Sequence, residues 1–104
     1  MVKESVYQKA ILDYLTIKGI YCWRNQSTGI YNAKTGGYIP LSKAGVSDIL
    51  GILPDGRLLA IEVKVPKGKL SPAQQQFLDD INQRGGLAFM ATTIDDVIQS
   101  LSTD

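Results

Sequence analysis

The chain has 104 residues, of which 44% are hydrophobic and 20% charged, and its formal net charge is +1. This length and composition predict a single globular domain spanning residues 1–104, whose modest core would gain stability from self-association. Histidine is absent from the sequence, which excludes Ser-His-Asp triads, Cys-His pairs, histidine-bound zinc and the histidine-metal nucleases.

The cysteine content and the apolar residues indicate the compartment. Cys22 is the only cysteine, so an internal disulfide is excluded and a reducing environment is indicated. No apolar stretch is long enough to span a membrane, and the first residues do not have the pattern of a signal peptide. We therefore expect a cytoplasmic protein.

A first amphipathic helix is predicted for residues 2–18, where apolar side chains recur at helical spacing before Gly19 ends the helix. Glu4 and Gln8 lie one turn apart, in line with the apolar stripe further along. Glu4 could therefore face the rest of the domain. An acid in the first turn is also favoured by the helix dipole alone, so the residues leave both interpretations open.

Residues 20–24 are predicted to form a strand that ends in Arg24. The guanidinium of Arg24 is a candidate phosphate contact because it matches phosphate oxygens bidentately, although arginine is also common at strand ends. After a polar turn, residues 31–34 and 38–40 are predicted to form a hairpin across a Gly-Gly pair.

Basic residues are concentrated in the middle of the chain. Residues 18–69 contain eight Lys or Arg and three Asp or Glu, hence +5, whereas the remainder contains three and seven, hence −4. Local basic surface rather than total charge determines affinity for a phosphate backbone. Loop residues Lys43, Lys67 and Lys69 are therefore candidate nucleic-acid contacts, with solvated lysines as the ordinary alternative.

A second hairpin is predicted to carry the chemistry. Residues 48–53 and 57–65 both read as strands, and Pro54-Asp55-Gly56 between them has the composition of a tight turn. A tight turn makes the two strands antiparallel neighbours. Because side chains alternate along a strand, Glu62 and Lys64 point to the same side.

Asp48 begins the first of these strands and can approach Glu62 across the hairpin. Two carboxylates, together with the backbone carbonyl of Val63, form a ligand set suited to Mg²⁺ or Mn²⁺. Lys64 beside them could orient a water or stabilise charge on a phosphate. The alternative is a surface Glu–Lys pair and an unrelated loop aspartate.

The third part of the chain is predicted to be helix, strand and helix. Ser71, Pro72 and Gln74 have the pattern of a helix start with a capping box. Gln74 also lies on the apolar face of this helix and can look toward the metal site. We expect it to serve only one of these two roles.

Gly85-Gly86 ends this helix, and residues 87–91 are predicted to form a buried strand. A last helix is predicted from about residue 93 to 101, with Val97, Ile98 and Leu101 facing the core.

Three motifs in this order resemble the VRR-NUC domain, a branch of the PD-(D/E)xK nuclease superfamily that also holds archaeal-type Holliday junction resolvases. The motifs are Gly45-Val46-Ser47-Asp48, Ile61-Glu62-Val63-Lys64 and Gly68-Lys69-Leu70-Ser71-Pro72-Ala73-Gln74. The resemblance extends from about Glu4 to Ala91. It departs at Ser47, where the family usually has a proline that supports the backbone rather than the chemistry.

The resemblance implies catalytic roles for a helix glutamate, an aspartate, a Glu-x-Lys pair and a glutamine; in this chain these are Glu4, Asp48, Glu62, Lys64 and Gln74. It also implies a restriction-endonuclease-like α/β fold of order α-β-β-β-α-β-α around a central mixed sheet. A homodimer acting on branched DNA such as four-way junctions, of bacterial or phage origin, is the corresponding expectation.

The predicted function is a Mg²⁺- or Mn²⁺-dependent endonuclease that hydrolyses DNA. A flap nuclease, single-strand nuclease or nickase is the alternative within the same class. A non-catalytic nucleic-acid-binding or assembly subunit with the same fold, and a metal enzyme acting on small phosphates, are the alternatives outside it.

Overall fold

The computed structural model describes residues 2–25, 29–32, 34, 36–40 and 44–102, with the backbone alone for residues 29–32 and 37–40. Three helices and six strands are present in these residues. The helices are α1 (Glu4–Ile17), α2 (Pro72–Gln83) and α3 (Ile94–Ser102). The strands are β1 (Tyr21–Arg24), β2 (Gly29–Asn32), β3 (Gly37–Pro40), β4 (Ile49–Ile52), β5 (Leu58–Val63) and β6 (Leu87–Ala91).

Four strands form the central sheet in the order β1-β4-β5-β6. The first two pairings are antiparallel and the pairing of β5 with β6 is parallel, so the sheet is mixed. Helix α2 provides the crossover that a parallel connection requires. The predicted order α-β-β-β-α-β-α is confirmed for this sheet and its helices. Strands β2 and β3 form a separate antiparallel hairpin, as predicted, with β2 beginning two residues earlier.

The turn between β4 and β5 forms as its residues predict. The Leu53 amide donates to the Arg57 carbonyl at 2.9 Å, and the Gly56 amide donates to the Leu53 carbonyl at 2.8 Å. Gly56 has φ +93°, a conformation that glycine adopts without steric cost. The Asp55 carboxylate accepts from the Arg57 amide at 3.1 Å, so the side chain completes the turn.

Strand β5 is buried on both faces because it lies inside the sheet and helices cover it from both sides. Helices α1 and α3 pack on one face, where Ile11, Leu15, Ile61 and Val97 form much of the main core. Helix α2 packs on the other face, where a smaller core contains Ala60, Leu78 and Ala88. A charged residue in this strand therefore enters a protein interior rather than a solvated sheet face.

The prediction for α3 is partly wrong. Val97 is fully buried and Leu101 packs against the main core, as expected, but Ile98 is 42% exposed. Consecutive residues of a helix are separated by about 100° around its axis, so Val97 and Ile98 cannot both point to the same narrow core. In the described part of the chain, no helix is both long and apolar enough to cross a bilayer.

Candidate active site

Two carboxylates meet at the open end of the β4–β5 hairpin. The register pairs Ile49 with Ile61, so Asp48, one residue earlier, lies opposite Glu62. Oδ2 of Asp48 accepts a hydrogen bond from the Val63 amide at 2.9 Å. We call Asp48 and Glu62 the acid pair. Like charges directly opposite one another destabilise a sheet, so this pair does not contribute to the stability of the two strands.

Asp48 is held between two strands by its own backbone and side chain. While its carboxylate accepts from β5, its backbone carbonyl accepts from the amide of Asn25 at 2.7 Å, just beyond the end of β1. The side chain of Asp48 therefore has a defined position at the end of the sheet.

Glu62 is buried, with 2% of its surface exposed. Its Oε1 accepts a hydrogen bond from Nε2 of Gln74 at 2.8 Å, and its Oε2 is buried without a hydrogen-bond partner. Burial, followed by the charge of Asp48, raises the pKa of Glu62 to about 8, and the nearby Lys64 only partly opposes this. Without a cation, the folded chain therefore favours the protonated form of Glu62 at neutral pH.

Lys64 and Glu4 both lie close enough to act on Glu62. Nζ of Lys64 is 4.0 Å from Oε1 of Glu62, and the Lys64 side chain is largely buried. Glu4, half-buried in the first turn of α1, contributes to the raised pKa of Glu62. This placement favours the interpretation that Glu4 faces the domain over that of a dipole-stabilising surface acid.

Gln74 corrects the expectation that it would serve only one role. Its side-chain Oε1 accepts from the Ser71 amide at 2.9 Å, and the Gln74 amide donates to Oγ of Ser71 at 3.2 Å, which completes the capping box. The same side chain donates from Nε2 to Glu62. Because a carboxamide has an acceptor at one atom and donors at the other, one rotamer caps the helix and contacts the acid pair together.

Gly45 brings the start of α2 against the segment that carries Asp48. Its φ is +79°, and a Cβ at this position would collide with the backbone carbonyl of Ala73. The backbone of Gly45 therefore lies directly on the first turn of α2, one residue before Gln74. This close approach positions Gln74 over Glu62.

A divalent cation fits the acid pair. The unpartnered Oε2 of Glu62 and the carboxylate of Asp48 are oxygen donors of the kind that Mg²⁺ prefers. A strand residue directs its N–H and C=O toward the same neighbour, so the carbonyl of Val63 is expected to face the same gap as its amide. Among the described residues, no group of three or more His, Cys, Asp or Glu side chains is arranged so that it could hold a metal ion. Two carboxylates with waters and phosphate are nevertheless a usual Mg²⁺ set.

The four predicted nucleic-acid contacts have three different outcomes. Lys67 and Lys69 are exposed in the loop that follows β5, close in sequence to Lys64. Lys67 has φ +68°, an uncommon conformation for a residue with a side chain. Lys43 lies outside the described residues.

Arg24 is not brought to the acid pair. It is paired with Ile49, whose side chain enters the core under α1. Paired residues share a face of the sheet, so Arg24 lies on the α1 face, where it lines a hollow with residues of that helix. Any role of Arg24 in binding phosphate would therefore involve a different surface from that of Glu62.

Two polar residues at this end of the sheet, Asn25 and Ser47, were not among the predicted site residues. Nδ2 of Asn25 is buried without a partner, and Oγ of the fully buried Ser47 is also unpartnered. Asn25 lies next to Asp48 in space, and Ser47 precedes Asp48 in the sequence. Only the pairing of β1 with β4 places Asn25 beside Asp48, and the sequence contains no signal for that register.

The chain is similar to known proteins in both sequence and fold. The profile of the VRR-NUC domain family matches residues 38–93, more than half of the chain and the part that contains the acid pair, Lys64 and Gln74. A solved structure described as a VRR_NUC domain is similar over 98% of this chain and 97% of its own, with a TM-score of 0.71 and 21% identity. At that identity the likeness concerns the fold. No curated protein matches the sequence.

Proposed function

The chain belongs to the VRR-NUC family of nuclease domains, and from this premise we propose that it is a Mg²⁺- or Mn²⁺-dependent endonuclease that hydrolyses DNA phosphodiester bonds. One observation carries the proposal: a buried glutamate faces an aspartate and retains an unpartnered oxygen. A fold under selection for stability alone would replace such a pair, because preventing a buried acid from ionising at neutral pH costs stability. A bound cation would remove that cost.

Asp48, Glu62 and the carbonyl of Val63 are the proposed metal ligands. When bound, the cation would polarise the phosphoryl group and lower the pKa of a water molecule. The bond from Val63 to Asp48 and the bond from Gln74 to Glu62 orient the two carboxylates before the substrate arrives. Such preorganisation is a general requirement of electrostatic catalysis.

Lys64 is the proposed group that acts on the substrate directly. In hydrolysis, the oxygen of a water loses a proton to the solvent and forms a bond to phosphorus. The bond to the leaving sugar oxygen breaks, that oxygen takes up a proton from the solvent, and negative charge accumulates on the phosphoryl oxygens in the transition state. The ammonium of Lys64 lies on the same face as Glu62 and can donate to one of those oxygens or orient the water. Glu4 would act from α1, through a water held near the acid pair.

The form of the DNA is proposed from the resemblance described above. A symmetric homodimer has two copies of the site, which suits paired cuts in branched DNA such as a four-way junction. Lys67 and Lys69 provide exposed positive charge in the loop that follows Lys64, and such charge would contact the backbone of a bound strand.

The experiment that tests this function compares wild type with Lys64→Ala. Labelled linear duplex, single strand, flap, three-way and four-way junction DNA are incubated with Mg²⁺, Mn²⁺ or EDTA. Wild type is expected to cut only with a cation. Lys64→Ala is expected to cut at least about 100-fold more slowly, because the loss of one preorganised hydrogen-bond donor reduces a catalytic rate by about this factor or more. Lys18→Ala, at the far end of α1, is the matched control and should cut as wild type does.

Four other outcomes would each contradict part of this proposal and support an alternative. Binding without cleavage under every metal would support a non-catalytic binding subunit. Activity on mononucleotides with none on DNA would support a small-phosphate enzyme. Cleavage of flaps or single strands alone would move the substrate away from junctions, and a monomer in analytical ultracentrifugation would remove the paired-cut mechanism.

A further inference from the structure

An exposed apolar surface lies beside the acid pair, on the same face of the sheet. Helix α2 covers this face over β5 and β6. Over β1, β4 and the first residue of β5 the face carries exposed side chains, which we call the apolar patch; it consists of Tyr21, Trp23, Ile52 and Leu58. Trp23 is 41% exposed and Tyr21 is 70% exposed. Exposed apolar side chains that lie together, unlike those scattered singly, mark interaction sites.

The register of the sheet connects this patch to the site. Trp23 pairs with Leu50, and Leu50 pairs with Ala60, which is two residues before Glu62 in β5. Asn25, two residues after Trp23, is bonded to Asp48. One strand spacing and two residues separate Trp23 from Asp48, which is roughly 8 Å between Cα atoms.

We propose that Trp23 stacks on an unpaired base of the DNA, next to the phosphate that the acid pair receives, an inference that rests on the nuclease function proposed above. The rings of Tyr21 and Trp23 are 5.6 Å apart and inclined at 59°, so one flat base cannot stack on both. Trp23 is the ring nearer to Asp48, and Tyr21 packs against its side.

Charge and size favour a nucleic acid over a second protein chain. The patch, the acid pair and Lys64 lie in succession on one face, so a strand of DNA could place a base on the ring and a phosphate beside Lys64. Four exposed side chains are few for a stable dimer, whose interface takes about 20–30 residues a side. A single base needs only one accessible ring.

The proposal makes an unpaired nucleotide part of the substrate. In a continuous duplex the bases remain stacked on each other, and extracting one of them has an energetic cost. A flap, a single strand or the exchange point of a junction provides an unstacked base without that cost. Because every base has a flat aromatic face, recognition by Trp23 tolerates any sequence.

The intrinsic fluorescence of the protein tests the proposal, because Trp23 is the only tryptophan in the chain. Unlabelled oligothymidylate is titrated into the full chain with Ca²⁺, and quenching that saturates is expected. In anisotropy measurements with labelled DNA, Trp23→Ala should bind oligothymidylate about 10-fold more weakly and a fully paired hairpin within about 2-fold of wild type. Trp23→Phe, which keeps a ring, should retain most of the affinity.

Ile98→Ala on α3 removes an equally exposed apolar side chain and serves as the control for general surface effects; it should leave both affinities unchanged. Absence of quenching, or equal affinity of wild type and Trp23→Ala for oligothymidylate, would overturn the proposal. A change of oligomeric state in Trp23→Ala with unchanged DNA affinity would assign the patch to a second copy of the chain instead.

Cleavage assays separate this inference from the nuclease function. If wild type and Trp23→Ala cut flap and single-stranded DNA at equal rates, the nuclease function stands and the stacking proposal is wrong. If wild type cuts nothing but its fluorescence is quenched by oligothymidylate, the stacking surface stands and the nuclease function is wrong.

Discussion

The two ends of the β4–β5 hairpin treat their acids in opposite ways. At the turn, the exposed Asp55 accepts hydrogen bonds from the amide and from Nε of Arg57, at 3.1 Å and 2.8 Å. These bonds hold the pKa of Asp55 below its usual range. At the open end, burial and Asp48 raise the pKa of Glu62 to about 8.

Ionisation of Asp55 therefore stabilises the fold, whereas ionisation of Glu62 destabilises it. Asp55 is paired with its own neighbours, so its charge favours the turn. Glu62 is inside the protein with an unpartnered oxygen, so its charge disfavours the folded state until another group balances it. Native proteins retain such costs chiefly at functional sites.

The largest change in folding free energy is expected when a methyl group is added near the open end of the β4–β5 hairpin. In Gly45→Ala, the added Cβ would collide with the backbone of Ala73, and the alanine would have to adopt a φ of +79°. We expect a loss of about 2–4 kcal/mol of folding free energy, the sum of a steric clash and a left-handed backbone. Urea denaturation would measure it. Cleavage should also fall, because the start of α2 positions Gln74.

The matched control is Gly56→Ala at the turn. Gly56 has a similar φ of +93°, but a Cβ there would meet no atom within 4 Å. Only the backbone term remains, which is about 1 kcal/mol. If the two variants lose the same stability, the close approach of Gly45 to α2 is not important for the fold.

Neutralising the buried acid should stabilise the protein. In Glu62→Gln the amide keeps the shape of the side chain and can donate to Asp48, so we expect a gain of about 1–3 kcal/mol at neutral pH without metal, together with loss of cleavage. Asp55→Asn should instead weaken the turn slightly. A lower stability of metal-free Glu62→Gln than of wild type would contradict the unbalanced-charge interpretation.

The pH dependence tests the same interpretation with the wild-type chain. Because the folded-state pKa of Glu62 is about 8, above its usual 4.5, the folded state holds this proton more tightly than the unfolded state. Stability from this group is therefore fully present below pH 4.5 and is lost as the pH rises toward 8. Glu62→Gln should lack this loss, and saturating Mg²⁺ should reduce it in wild type by binding the folded state. Thermal melts across pH 5–8 would measure both.

The smallest effect is expected at Ser47, next to Asp48. Its hydroxyl is buried without a partner, so Ser47→Ala should gain about 1 kcal/mol by removing an unsatisfied polar group. Ser71→Ala is the contrasting variant, since that hydroxyl accepts from the Gln74 amide and caps α2; it should lose about 1 kcal/mol. Equal losses in calorimetry for both variants would show that Ser47 has a partner.

Local sequence patterns predict most of the elements and the residues of the candidate site. Alternation places Glu62 and Lys64 on one side of β5, and the Pro-Asp-Gly turn makes β4 and β5 neighbours. The capping residues determine where α2 begins. These features depend on a few adjacent residues, so they can be predicted without the rest of the molecule. The same patterns do not show which of two neighbouring apolar residues on a short helix is buried, as the exposure of Ile98 beside the buried Val97 illustrates.

Only the tertiary structure decided what surrounds the acid pair. The contact of Gly45 with Ala73, the bond from Asn25 to Asp48, the double role of Gln74 and the exposure of Trp23 all depend on segments distant in sequence. Strand register and helix placement result from packing the whole core, and no local propensity specifies them. The sequence therefore pointed to the candidate site residues, whereas the packing of the sheet and α2 placed the acid pair and set which surface lies beside it.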